Sequence, residues 1–221
     1  MIKAVVFDLD RTLLDRDKSV KVFVEKQYDR LNTDLKHIPK EKYITKFIEL
    51  DQRGYVSKDK VYQQIVDEFN VTGLTWQELL ADYNSCFKDS CVPFPNLNRM
   101  LETLRDHHLM LGVISNGRGQ FQLDNIQALG IEDYFETILI SEWEGMKKPD
   151  PQIFYKALEA LGVAPAESIY VGDHPENDIK ASQNVGMKSV WMKDERYDGV
   201  QADFIIEDLT EVPVVVEKIN E

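Results

Sequence analysis

The sequence predicts an α/β protein: an open, mostly parallel β-sheet with helices on both faces, interrupted by an inserted all-helical domain. Three observations carry this. Six short apolar runs, several of them β-branched and nearly continuous, have the character of parallel strands covered on both faces. Helical patterns alternate with these runs, as strand–helix–strand units require. Between about residues 16 and 90 the strand signals stop while helical spacing continues.

The first run covers 2–7 (IKAVVF) and ends in Asp8 and Asp10. The helical stretch opens just after it. There Val20, Phe23, Val24, Gln27, Tyr28 and Leu31 follow helical spacing, as do Tyr43, Ile44, Phe47 and Ile48, then Val61, Ile65, Val66 and Phe69. Thr75 to Glu78 (TWQE) is a capping box ahead of Leu79, Leu80 and Tyr83. About four helices result. The alternating pattern then resumes with a helix carrying Leu97, Met100, Leu101 and Leu104, followed by runs at 109–114 (LMLGVI) and 137–140 (TILI). In the next helix Asp150 is the N-cap, Pro151 the first helical residue and Gly162 the stop, with Phe154, Ala157, Leu158 and Leu161 on one face. Runs at 169–171, 188–192 and 203–206 complete the set. The expected organisation is a Rossmann-like core at 1–15 and 91–221, with an inserted helical cap at 16–90.

Bulk properties narrow the function. A chain of 221 residues with 43% hydrophobic content supports one core carrying a smaller insert. A net charge of −13 argues against nucleic acid and anionic membrane as partners, because the average field repels both. Two cysteines, Cys86 and Cys91, are too few for a disulfide framework, so free thiols in a reducing compartment are expected. No apolar run reaches the roughly 18–20 residues of a membrane span, and no N-terminal export pattern is present. The expectation is a cytoplasmic protein. Nothing in the sequence specifies its oligomeric state.

Open parallel sheets bind ligands beyond the carboxyl ends of their strands. The residues found there are Asp8 and Asp10, then Ser115-Asn116-Gly117, then Lys147 and Lys148, then Asp173 and Asp178. Alternation along a strand points Asp8 and Asp10 the same way. Like charges that close are costly without a cation between them. Asp173 adds a third carboxylate, and such oxygen donors suit Mg²⁺. Lys148 brings a positive charge, Ser115 a hydroxyl, and the following turn offers backbone N–H groups to an anion. This set is equipped for phosphoryl transfer.

In order and spacing, "DLDRT", "ISNG", "KKPDP" and "GDHPEND" resemble the four motifs of the haloacid dehalogenase-like (HAD) superfamily, and the inserted helices resemble its helical cap. The likeness spans residues 2 to about 193. It implies a Mg²⁺-dependent phosphatase acting on a small phosphomonoester, such as a nucleotide or sugar phosphate. By the same resemblance, Asp8 would attack phosphorus and form an aspartyl-phosphate. Asp10 would act as acid and then base, and its backbone carbonyl would join Asp8 and Asp173 as Mg²⁺ ligands. Ser115 and the Asn116 N–H would hold phosphoryl oxygens. Lys148, placed directly before proline as in the family motif, would balance charge, and Asp178 would orient Lys148 or a water on the metal. Thr12 would steady the turn through backbone or Asp8.

Arg11 departs from the family, which usually has Gly or Asn there. It either pairs with an acid such as Asp15 or Asp17, or reaches toward an anionic group of the substrate. Competing readings are a 2-haloacid dehalogenase and a non-catalytic binding or regulatory protein. Asp10 argues against the first, whose pattern lacks a carboxylate two residues after the nucleophile. The intact polar set argues against the second. Phosphonate hydrolysis and phosphomutase activity belong to the same family range, and no cap lysine among Lys18, Lys21, Lys58 and Lys60 is singled out for the former.

Overall fold

Strand β1 (Ala4–Phe7) is wholly buried in the computed structural model, which describes residues 1–221. The other strands are β2 (Met110–Ser115), β3 (Thr137–Ile140), β4 (Ser168–Gly172), β5 (Lys188–Met192) and β6 (Phe204–Ile206). The six strands form one sheet in the order β3-β2-β1-β4-β5-β6, parallel throughout. The expected apolar runs are all strands, with ends moved by a residue or two. Phe7 stands level with Val113 on one side and Val171 on the other. The chain therefore leaves β1, β2 and β4 along the same edge of the sheet, at Asp8, Ser115 and Gly172–Asp173.

Residues Arg16–Val92 form one compact unit; Met1–Asp15 and Pro93–Glu221 form the other. The first of these is helical: α1 (Arg16–Arg30), the single turn α2 (Asn32–Leu35), α3 (Lys40–Asp51), α4 (Lys58–Phe69) and α5 (Trp76–Cys86). Its core holds Val20, Phe23, Val24, Tyr43, Phe47, Val61, Tyr62, Ile65, Leu79 and Tyr83. The capping box is present, with Thr75 Oγ1 accepting from the Glu78 N–H and Glu78 accepting from the Thr75 N–H. Ile48 was expected inward but is 44% exposed, and Leu31, Val66 and Phe69 are half-buried. At the centre lies a polar residue, Gln27. Its Oε1 accepts from the Tyr43 and Tyr62 hydroxyls, each at 3.0 Å, and its Nε2 donates to the Leu79 carbonyl and to Asp82.

The sheet-bearing unit adds α6 (Leu97–Asp106), α7 (Gly119–Ala128), the short α8 (Ser141–Glu144), α9 (Pro151–Leu161), the single turn α10 (Ala181–Asn184) and α11 (Glu211–Asn220). Helix α9 starts and stops as its caps dictate: Asp150 accepts from the Gln152 N–H and Gly162 closes it at φ 66°. Its apolar face packs with Ala4, Val6, Ile114 and Tyr170. Helix α7 had no clear apolar period in the sequence because two of its buried positions are amides, Gln122 and Asn125. Leu14 bridges Pro93, and the Phe94 N–H donates to the Leu13 carbonyl at 2.9 Å. No helix is long and apolar enough to cross a membrane.

Candidate active site

Asp8 is the first residue past β1, 6% exposed, with its N–H bonded to the Val171 carbonyl. Its two carboxylate oxygens have different partners. Oδ1 accepts from Lys148 Nζ at 2.6 Å and Oδ2 from Thr12 Oγ1 at 3.3 Å. Burial pushes the Asp8 carboxyl up to about 7; Lys148 pulls it down and Asp178 adds to the rise. Lys148 is itself buried, whereas Lys147 is exposed. Its ammonium donates to Asp8, to Asp178 Oδ1 at 2.7 Å and to the Tyr170 hydroxyl at 2.9 Å. Burial opposes that ammonium, but the charges of Asp178 and Asp8 outweigh it and hold its pKa well above the ordinary lysine value.

Asp173 and Asp178 follow β4. The chain between them winds into one wide turn at Pro175–Lys180, with the Ile179 N–H reaching the His174 carbonyl five residues back. This brings Asp178 back against β4, so closely that a Cβ on Gly172 would lie 2.5 Å from its side chain. Only glycine fits that position. Asp178 Oδ2 accepts from the His174 N–H at 2.9 Å. His174 caps the turn, its Nδ1 accepting from the N–H groups of Glu176 and Asn177. Burial depresses its pKa, which suits an uncharged ring that accepts. The Asp173 carbonyl is held by Trp191 Nε1 at 2.8 Å. Its carboxyl is pushed well above the usual range by burial and by the charges of Asp8 and Asp178, with Arg11 and Lys148 opposing.

Ser115 ends β2 and is 1% exposed. Asn116 uses its side chain as a clamp: Nδ2 donates to the Lys148 carbonyl and Oδ1 accepts from the Lys148 N–H, both at 2.9 Å. That pair fixes the backbone from which Lys148 projects. Asp10 is half-buried, and its Oδ2 accepts from Gln122 Nε2 at 2.9 Å. Between β1 and Leu14 the chain turns tightly, with the N–H groups of Leu13 and Leu14 both on the Leu9 carbonyl. Arg11 sits at the corner with φ 65°, in the left-handed region. That conformation favours Gly and Asn over arginine. An arginine there bears a backbone cost of about 1–2 kcal/mol.

The carboxylate oxygens of Asp8, Asp173 and Asp178 lie within 4.8 Å of one another, all three residues buried. Asp178, expected behind Lys148, stands in this group as well as on the lysine. The carboxylate of Asp10 is outside it, turned to Gln122. Lys148 pairs with Asp8 and Asp178, Asp173 adds a third buried carboxylate, and burial raises the pKa of Asp8 and Asp173. A divalent cation held by oxygen donors relieves that imbalance, so the residues present fit Mg²⁺. Three contributors escaped sequence reasoning: the Tyr170 hydroxyl, the Asn116 side-chain clamp and Gln122. Tyr170 reads as one apolar strand residue among others. Gln122 left one signal, a polar residue on the inner side of a helix.

A family model described as haloacid dehalogenase-like hydrolase matches residues 5–192. A glyceraldehyde 3-phosphate phosphatase of Pyrococcus furiosus is 32% identical over 232 aligned positions, covering 99% of this chain and 95% of the relative. A phosphoglycolate phosphatase of Aquifex aeolicus is 30% identical over 191 positions, covering 85% and 83%. The crystal structure of a HAD phosphatase from Thermococcus onnurineus superposes with a TM-score of 0.68 at 28% identity, covering 97% of this chain and 98% of that one.

Proposed function

The chain belongs to the haloacid dehalogenase-like hydrolases and is a phosphatase, and from that premise we propose that it hydrolyses a small phosphomonoester with Mg²⁺, through an aspartyl-phosphate on Asp8. The observation that carries this reading is the buried contact of Lys148 Nζ with Asp8 Oδ1 at 2.6 Å. A lysine there stabilises a carboxylate that must be ionised to attack, and then the charge gathering on phosphorus.

In the first step a carboxylate oxygen of Asp8 forms a bond to phosphorus as the bond to the leaving oxygen breaks. Asp10 gives that oxygen a proton. In the second step a water loses its proton to Asp10 and attacks phosphorus, the bond to Asp8 breaks, and phosphate leaves. The Ser115 hydroxyl and the Asn116 N–H receive the phosphoryl oxygens. The carboxylates of Asp8 and Asp173, with the Asp10 carbonyl, would hold Mg²⁺, and Asp178 joins them or fixes Lys148. When bound, the cation supplies positive charge to the phosphoryl oxygens and screens the carboxylates from one another. Thr12 keeps Asp8 in its rotamer.

Relatives named for glyceraldehyde 3-phosphate and phosphoglycolate favour a two- or three-carbon substrate with a second polar or anionic group. Arg11, whose charge already acts on Asp173, is the residue to meet that group. Insertion of the helical unit directly after β1 suits a cap that selects substrate. A panel of two- and three-carbon phosphomonoesters, nucleotides and p-nitrophenyl phosphate, assayed for released phosphate with Mg²⁺ and with EDTA, tests the proposal. Turnover that survives EDTA would refute the metal, and near-native turnover by Asp8→Asn would refute the nucleophile.

A further inference from the structure

We infer that Gln122 is a positioning residue for this chemistry, one carboxamide that sets both the Asp10 carboxylate and the Ser115 hydroxyl. The inference rests on Asp10 acting as the acid.

Gln122 lies on α7 and is 2% exposed. A buried carboxamide is costly unless it is hydrogen-bonded. Its Nε2 donates to Asp10 Oδ2 at 2.9 Å and to Ser115 Oγ at 2.6 Å, and its Oε1 accepts from Asn125 Nδ2 at 3.1 Å. The orientation of the amide follows from its neighbours. A carboxylate oxygen accepts only, so the NH₂ group must face Asp10, and the Asn125 donor then meets the oxygen.

Two consequences follow for the chemistry. A serine hydroxyl has one proton and two lone pairs. Gln122 occupies a lone pair of Ser115, so the hydroxyl proton is directed elsewhere and Ser115 serves as a donor, the role an anionic phosphoryl oxygen needs. Asp10 has its Oδ2 fixed by an N–H, which sets the plane of the carboxylate and leaves proton delivery to Oδ1. The acid and the phosphoryl-binding hydroxyl thus share one support, although they leave different strands. The turn after β2 is shaped around it: a Cβ on Gly117 would lie 2.8 Å from Gln122 Cγ.

Gln122→Met keeps length and burial and removes both donors. Asn125→Leu removes the donor that holds Gln122 Oε1 and leaves the Gln122 donors in place. Each is compared with wild type and Asp10→Asn on p-nitrophenyl phosphate and on phenyl phosphate, whose leaving group needs protonation more. Small misplacements of catalytic groups cost large factors in rate. In Gln122→Met, kcat on phenyl phosphate should fall about tenfold further than on p-nitrophenyl phosphate, and inorganic phosphate should inhibit more weakly. Asn125→Leu should shift both in the same direction by less, so the inference stays testable if Gln122→Met does not fold. Equal losses on the two substrates, in a background where Asp10→Asn separates them, would overturn the role of Gln122 alone. If Asp10→Asn itself fails to separate them, the acid assignment falls and the inference falls with it.

Discussion

Asp8 and Lys148 form a buried ion pair, Oδ1 to Nζ 2.6 Å, and the same ammonium also serves Asp178. Asp173 stands beside this pair of carboxylates as a third, its charge opposed by Arg11 and Lys148. Burial pushes the Asp8 pKa from 3.8 to about 7, with Lys148 pulling it down and the charges of Asp178 and Asp10 adding to the rise.

That rise has a sign in stability. A raised carboxyl pKa means that the folded state binds the proton more tightly, so the contribution of Asp8 is full below 3.8 and is lost as pH climbs through about 7. In EDTA, the melting temperature of the wild type should fall relative to Asp8→Asn across that window. Mg²⁺ should then raise the wild-type melting temperature more than that of the variant, by ligand linkage. Parallel pH curves for the two proteins would show that Asp8 does not carry the imbalance.

Removing the cation should be worse than removing its partner. Lys148→Met leaves Asp8 and Asp178 buried without their shared ammonium, a loss of roughly 3–5 kcal/mol. Adding Asp178→Asn should return part of that stability by removing a buried charge, while phosphatase activity stays lost. Urea unfolding gives the first quantity and phosphate release the second. A double variant no more stable than Lys148→Met would contradict the shared-cation arrangement.

Arg11 occupies a left-handed corner at φ 65°. Arg11→Gly removes the strain and should stabilise the protein by about 1 kcal/mol, worth ~2–4 °C in melting temperature. It also removes the guanidinium, so KM should rise for a substrate bearing a second anionic group and change little for p-nitrophenyl phosphate. Arg11→Ala keeps the strain and should share only the kinetic effect. Unchanged KM for every substrate would make Arg11 a scaffold residue.

In the helical unit, Gln27 satisfies two tyrosine hydroxyls and a carbonyl at zero exposure. Gln27→Leu packs similarly but strands those groups, at roughly 2–5 kcal/mol for the set. Circular dichroism should show a lower melting temperature. Tyr43→Phe in the same background should recover some of the loss, because one stranded hydroxyl is then absent.

The strands and their edge were legible in the sequence because burial on both faces writes itself as continuous β-branched runs, and because Asp8, Ser115, Lys148 and Asp173 each follow such a run or its loop. Helix α7 was not, since Gln122 and Asn125 break the apolar period that marks a buried face. The clamp of Asn116 on Lys148 joins positions 32 residues apart and leaves no local pattern. Tyr170 looks like any strand residue until its hydroxyl is found on the lysine. Arg11 was visible only as a departure from the family, and the backbone angle supplies its meaning.

The chain enters the helical unit after Asp15 and returns at Pro93, and at that crossing Leu13 and Leu14 are paired with Phe94 and Pro93. The doorway is closed by bonds belonging to the sheet-bearing unit alone. The closure should therefore hold whatever sequence lies between Arg16 and Val92. A chimera carrying a relative's insert in place of Arg16–Val92 is expected to keep the Leu13–Phe94 and Leu14–Pro93 pairing.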